Sequence, residues 1–156
     1  MRAPSVVETL RAKEELKREF ERSIPRPRLL RARRDEHARR PPRPCGLTIH
    51  PAYGCSNRCL YCYIQDLGLP FTRTRLSPLS GDELLYALLS NPYFVPGPWG
   101  TFLAVGSLCE PLSPAALPKT LEFAAALAKL GNPVQLSTKS GPLGGATEEL
   151  ARTLVV

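Results

Sequence analysis

Cys55, Cys59 and Cys62 fall within eight residues, in the run Cys55-Ser-Asn-Arg-Cys59-Leu-Tyr-Cys62, directly after Gly54 and just past the apolar run Leu47-Thr-Ile49. Three thiolates this close converge on one point only when that point is a metal ion or a metal cluster. Three is also one ligand short of closing a tetrahedral ion or a four-iron cluster. A site left one ligand short is open for chemistry.

The C-x3-C-x2-C spacing separates the candidates. Zinc sites normally use paired C-x2–4-C hooks, with a second pair closing the tetrahedron. His50 is available as a fourth ligand, but it lies in an expected strand and its side chain can point away. Ferredoxin-type runs use another spacing and a fourth cysteine. Of the five cysteines, Cys45 and Cys109 remain, and neither has a partner at hook spacing. Three unconnected core cysteines fit poorly beside Gly54 and the polar Ser56, Asn57 and Arg58. An iron–sulfur cluster is expected first and a zinc ion second.

The elements that must position this loop follow from pattern. From Gly46 onward strands and helices alternate: a strand over 47–53, a short helix over 60–67, a helix over 80–89 with Ser80 as N-cap and Glu83 three residues on, a buried strand over 101–105, an amphipathic helix over 117–130 stopped by Gly131, a strand over 134–137, and a further helix over 147–154. Strands alternating with helices imply parallel pairing with right-handed crossovers, and ligands gather at the carboxyl ends of such strands. Each expected strand is followed there by reactive residues: the cysteine loop, then Gly106-Ser-Leu-Cys109-Glu110, then Thr138-Lys139.

The net charge of +7 is uneven. Residues 1–45 hold 14 Lys/Arg against 7 Asp/Glu, and residues 46–156 hold 7 of each. Residues 5–22 read as a helix opened by a Ser5/Glu8 capping box. Residues 23–44, with five prolines, read as a linker in which 29–40 has room for a short helix. The expected organisation is therefore a basic N-terminal helix and Pro/Arg-rich linker over 1–44 and a βα domain over 45–156. A basic extension on a neutral domain points to an anionic partner such as nucleic acid, although no aromatic residue lies among these arginines to stack on bases; the plainer expectation is a solvated arm. No run of about 18 apolar residues predicts a membrane span, and no secretory leader is visible, so a cytoplasmic, reducing location is expected.

The stretch Gly54-Cys55-Ser-Asn-Arg-Cys59-Leu-Tyr61-Cys62-Tyr63 resembles the cluster loop of the radical S-adenosylmethionine superfamily. Ser137-Thr138-Lys139-Ser140 resembles the Thr-Lys-Ser segment of the subgroup that includes spore photoproduct lyases and their DNA-repair-photolyase-like relatives. The resemblance implies a [4Fe–4S] cluster on Cys55, Cys59 and Cys62, with S-adenosylmethionine on the fourth iron and an external one-electron reductant. It implies a 5′-deoxyadenosyl radical that abstracts hydrogen from substrate, a nucleic acid or another molecule. It further implies Tyr61 near the adenine, Ser107 and Glu110 toward the methionyl amino group, Lys139 toward the carboxylate, and Cys109 as hydrogen donor to a product radical.

The resemblance covers residues from Gly46 onward and implies an α/β fold that is the first half of a partial (βα)6 barrel with parallel strands. The missing half is expected from a longer chain or from a second polypeptide; a truncated remnant is the third expectation. A non-catalytic iron–sulfur or zinc module with a basic nucleic-acid-binding arm stands as the alternative to an enzyme.

Overall fold

A parallel sheet of three short strands organises the molecule, a computed structural model that describes residues 4–141 and 144–153. The strands are β1 (Leu47–Ile49), β4 (Leu103–Val105) and β5 (Val134–Leu136), in the order β1-β4-β5. Leu47 sits opposite Leu103 and Leu103 opposite Val134; Ile49 sits opposite Val105 and Val105 opposite Leu136. All three strands therefore end level, and the residues that follow them emerge along one edge. The intervening β2 (Ala52–Tyr53) and β3 (Arg75–Leu76) form a separate antiparallel ribbon.

Five α-helices accompany the sheet among the described residues: α1 (Val6–Ser23), α2 (Arg26–Arg34), α3 (Gly81–Ser90), α4 (Leu117–Ala128) and α5 (Gly145–Thr153). The capping boxes are present, Ser5 with Glu8 on α1 and Ser80 with Glu83 on α3. The expected end of the last helix at Leu154 lies outside the described residues. The chain is thus mixed α/β with a parallel sheet. None of the helices among the described residues is long and apolar enough to cross a membrane.

Helix α3 is buried on every side: Leu84, Leu85, Tyr86, Ala87, Leu88 and Leu89 are all inaccessible. A helix apolar all round needs neighbours all round. It packs against α4 on one side and against α1 and α2 on another. This corrects the expectation of a linker over 23–44. Pro25 precedes α2 and Pro27 lies in its first turn, where a missing N–H costs nothing. Ile24, Ala32 and Ala38 join the main core, with Leu16, Phe20 and Leu29 packed on it.

Three of the α2 arginines are likewise committed. Arg31 makes a two-toothed contact with Glu83, whose side chain is fully buried, at 2.6 and 2.9 Å, and Arg28 reaches the same carboxylate at 3.4 Å. Arg33 bonds Glu21 and the Tyr86 hydroxyl.

Two further expectations are corrected. The strand over 47–53 breaks after Ile49, because Pro51 has no N–H for a ladder. The Pro51 carbonyl instead accepts from Ser77 N–H at 2.8 Å, and the chain turns into β2. The helix over 60–67 does not form. Its amides bond three residues back, Cys62 to Cys59 and Asp66 to Tyr63, each at 3.0 Å, so the segment is a chain of turns.

Candidate metal and cofactor site

The three strand ends converge on a cavity of about 420 Å³. Its wall contains Cys55, Cys59, Tyr61 and Cys62 from the loop after β1 and β2, Ser107, Cys109 and Glu110 from the loop after β4, and Lys139 from the loop after β5. Every residue singled out from sequence for cluster or cofactor thus lines one cavity. The segments come together because the strands end in register.

Two glycines set the walls. Gly54 holds φ +80°, and a Cβ there would lie 2.3 Å from the Pro70 carbonyl oxygen. Gly106 holds φ +103°, and a Cβ there would lie 2.4 Å from the Ser137 oxygen. Neither position admits a side chain. The cysteine loop is tied back by Cys55 N–H to Pro70 O at 3.1 Å and by Ile64, which is buried. Arg58 at its apex takes φ 52°, a left-handed conformation uncommon outside glycine. The Tyr63 hydroxyl donates to the Ser107 carbonyl, fastening the first loop to the second.

All three thiols are free and partly buried. The Asn57 N–H donates to Cys55 Sγ at 3.5 Å. Among the described residues no three His, Cys, Asp or Glu side chains are gathered as ligands of one metal ion. A tetrahedral zinc, with Zn–S of about 2.3 Å, needs its sulfurs nearly in contact. Three sulfur donors lining one cavity fit a thiophilic metal ion or cluster.

Glu110 is buried, and both its oxygens are engaged. Oε1 accepts from Leu112 N–H at 3.1 Å and from the Thr138 hydroxyl, and Oε2 accepts from Lys139 N–H at 2.8 Å. It clamps the loop after β5 to the loop after β4. Lys139 in turn reaches across the cavity mouth: its Nζ donates to the Tyr61 hydroxyl at 2.6 Å and stands 4.1 Å from the ring centroid. The Tyr61 oxygen, with the nearby Cys59 and Cys62 sulfurs, holds the ammonium above its ordinary range. Tyr61 itself is 77% exposed.

Cys109 lies in a small apolar cluster with Ala52 and Ala116. Burial pushes its thiol up to about 12, against a backbone hydrogen bond from Ala52, so the sulfur keeps its proton. Ser107 Oγ stands 3.4 Å from His50 Nδ1.

His50, weighed as a zinc ligand, does not line the cavity. Its ring lies between those of His37 and Tyr53, each 5.7 Å away by centroid. Cys45 precedes β1 and so lies at the opposite end of the sheet.

His37 was not legible as part of the support. Its Nε2 accepts the His50 backbone N–H at 3.0 Å, which assigns the proton to Nδ1, 2.6 Å from Asp35 Oδ1. Nothing local in the arginine-rich stretch marks it. Tyr63, in contrast, adjoins Cys62 and was visible in the motif without a role.

Comparison with protein-family models, with curated proteins and with solved structures finds no match to this chain.

Proposed function

We propose that the chain holds a [4Fe–4S] cluster on Cys55, Cys59 and Cys62 with S-adenosylmethionine beside it, as in radical S-adenosylmethionine proteins of the spore-photoproduct-lyase-like group. The observation that supports this best is the meeting of three segments far apart in sequence, each marked by the resemblance, on one cavity at level strand ends. When bound, the pair of cofactors supplies one-electron cleavage of the sulfonium and a 5′-deoxyadenosyl radical that takes hydrogen from substrate.

The chain's own residues bind and orient. Lys139 is the sole cation lining the cavity among the described residues, and it offers its ammonium to the methionyl carboxylate. Tyr61 holds that ammonium and offers its ring to the adenine. Glu110 acts through Lys139, because its oxygens already accept from the β5 loop. Cys109 keeps an S–H bond within the cavity, the state a hydrogen donor needs.

In this reading the three βα units are the first half of a partial (βα)6 barrel, and β5 is the edge on which further strands pair, from following sequence or from a second polypeptide. The substrate class is nucleic acid.

The test is anaerobic reconstitution followed by dithionite reduction with S-adenosylmethionine. About four irons and four sulfides per chain and release of 5′-deoxyadenosine are expected. A single bound zinc, or a Cys59→Ala variant that still releases 5′-deoxyadenosine, defeats the proposal.

A further inference from the structure

At the opposite end of the sheet, the N-terminal basic stretch meets the loop between α3 and β4. Asn91 joins them. Its Nδ2 donates to the carbonyls of His37 at 2.9 Å and Arg40 at 2.8 Å, and its Oδ1 accepts the Tyr93 N–H at 2.9 Å. The buried Lys13 ammonium donates to the carbonyls of Asn91 and Phe94 at 2.6 and 2.7 Å, fastening α1 to the same loop. Thr101 closes the loop, its Oγ1 accepting from Val95 N–H at 2.8 Å.

An open groove of about 520 Å³ results, with Arg43, Cys45, Phe102 and Gln135 among its walls. Phe102 packs on Gly46, where a Cβ would meet its ring at 2.7 Å. Phe102, Tyr93 and Trp99 are all exposed, Trp99 by 69%. No carboxylate lines the groove. Arg28, Arg31, Arg33 and Arg40 are neutralised by glutamates. Arg34, Arg39 and Arg43 stand in no ion pair among the described residues.

We infer that this aromatic and arginine-bearing face binds single-stranded nucleic acid. Exposed rings alone would suit a protein partner, but the exposed Phe102 ring shares its groove with the Arg43 guanidinium, which has no ion-pair partner among the described residues, and that pairing suits a strand whose bases stack and whose phosphates need counterions. Base faces are hidden in a duplex and offered by a single strand. The arginine stretch contains no aromatic residue of its own; the fold supplies the rings from residues 93–102. The face lies away from the cysteine cavity and does not depend on a cluster. It rests on the proposal above only for the expectation that nucleic acid is a partner.

The test uses the full chain and a fluorescein-labelled 12-mer of deoxythymidine. Trp99 is the single tryptophan, so stacking is read as quenching of its emission and affinity as anisotropy. Quenching is expected, with a log–log salt slope of about −2 for three phosphate contacts. Tyr93→Ala and Trp99→Ala each weaken binding about ten-fold at unchanged slope. Arg39→Ala and Arg43→Ala each flatten the slope by about 0.7.

Trp99→Phe keeps affinity and guards against a folding artefact, checked by circular dichroism. Cys59→Ala leaves binding intact, which separates this face from the cluster. The inference is overturned by absence of quenching at low salt, by equal affinity for a 12-bp duplex, by ring variants that bind normally, or by self-association without oligonucleotide binding.

Discussion

Glu110 fixes Lys139 from behind: its Oε2 accepts the Lys139 backbone N–H at 2.8 Å, while the Lys139 ammonium reaches 2.6 Å from the Tyr61 hydroxyl on the far wall. Three loops are thereby joined through two residues. All three hydrogen bonds to the Glu110 carboxylate are accepted, never donated. A glutamine has one acceptor oxygen and cannot replace both. Glu110→Gln should lose the Lys139 contact and about 2 kcal/mol of stability, and Glu110→Ala more, about 3 kcal/mol. Urea unfolding measures the loss. Isothermal titration with S-adenosylmethionine after reconstitution should show weakened binding in Glu110→Gln with three intact thiols. Unchanged stability in both variants would sink the clamp.

The two positive-φ glycines of the cysteine segment make a paired test. Gly54→Ala places a methyl 2.3 Å from the Pro70 oxygen, whereas Gly68, at φ +66°, has nothing within 4 Å of its Cβ position. Gly68→Ala should therefore cost only the left-handed backbone preference, about 1 kcal/mol. Gly54→Ala should cost well over about 2 kcal/mol or displace the loop, with loss of iron on reconstitution. Thermal melting and iron content distinguish them; equal behaviour would contradict the loop geometry.

Much of this site was legible because it is local. The cysteine spacing sits in eight residues, and the strand ends were readable as apolar runs followed by polar ones. What was not legible depends on partners far along the chain. Residues 26–34 look like a charged, proline-bounded linker, yet they form α2 because Glu83, more than 50 residues on, collects Arg28 and Arg31. The strand expected to run through Tyr53 stops where Pro51 cannot donate, and its continuation pairs with Arg75 and Leu76 instead. The family resemblance implies Glu110 as a cofactor contact. Its burial against Thr138 and Lys139 shows a carboxylate occupied by its own chain.

His50 gives the fold an acid sensitivity. Burial, with the Arg40 charge next, lowers its pKa from 6.5 to about 2, and its Nε2 has no hydrogen-bond partner. Below pH 6.5 the unfolded chain takes up a proton that the folded chain refuses, so the unfolded state binds more protons and stability falls as pH falls. The slope has an upper limit of about 1.4 kcal/mol per pH unit. His50→Gln should flatten the decline between pH 6.5 and 5 in urea titrations. Asp35, its carboxyl held low by His37 against the cost of burial, acts only in a lower window, below its ordinary 3.8. A wild-type curve flat from pH 7 to 5 would count against a neutral buried imidazole.

Glu83 carries the junction between the N-terminal helices and the core. Burial raises its pKa, but the Ser80 N–H, Arg31 and Arg28 outweigh that and leave the carboxyl below its ordinary 4.5. A carboxyl lowered on folding stabilises above its unfolded value and loses that contribution as pH falls through the folded one. Glu83→Gln should remove this acid component and lose about 2 kcal/mol at pH 7, since the cap and both arginines lose their anion. The arginines are half exposed, which keeps the loss below that of a fully buried pair. Arg31→Ala should cost less than Glu83→Gln, because Arg28 and the Ser80 amide still hold the carboxylate. Proteolysis adds a readout specific to the junction: cleavage among residues 25–43 should accelerate in Glu83→Gln and hardly at all in Arg31→Ala. Equal protection of that segment in Glu83→Gln and wild type would show that apolar packing alone holds α2 in place.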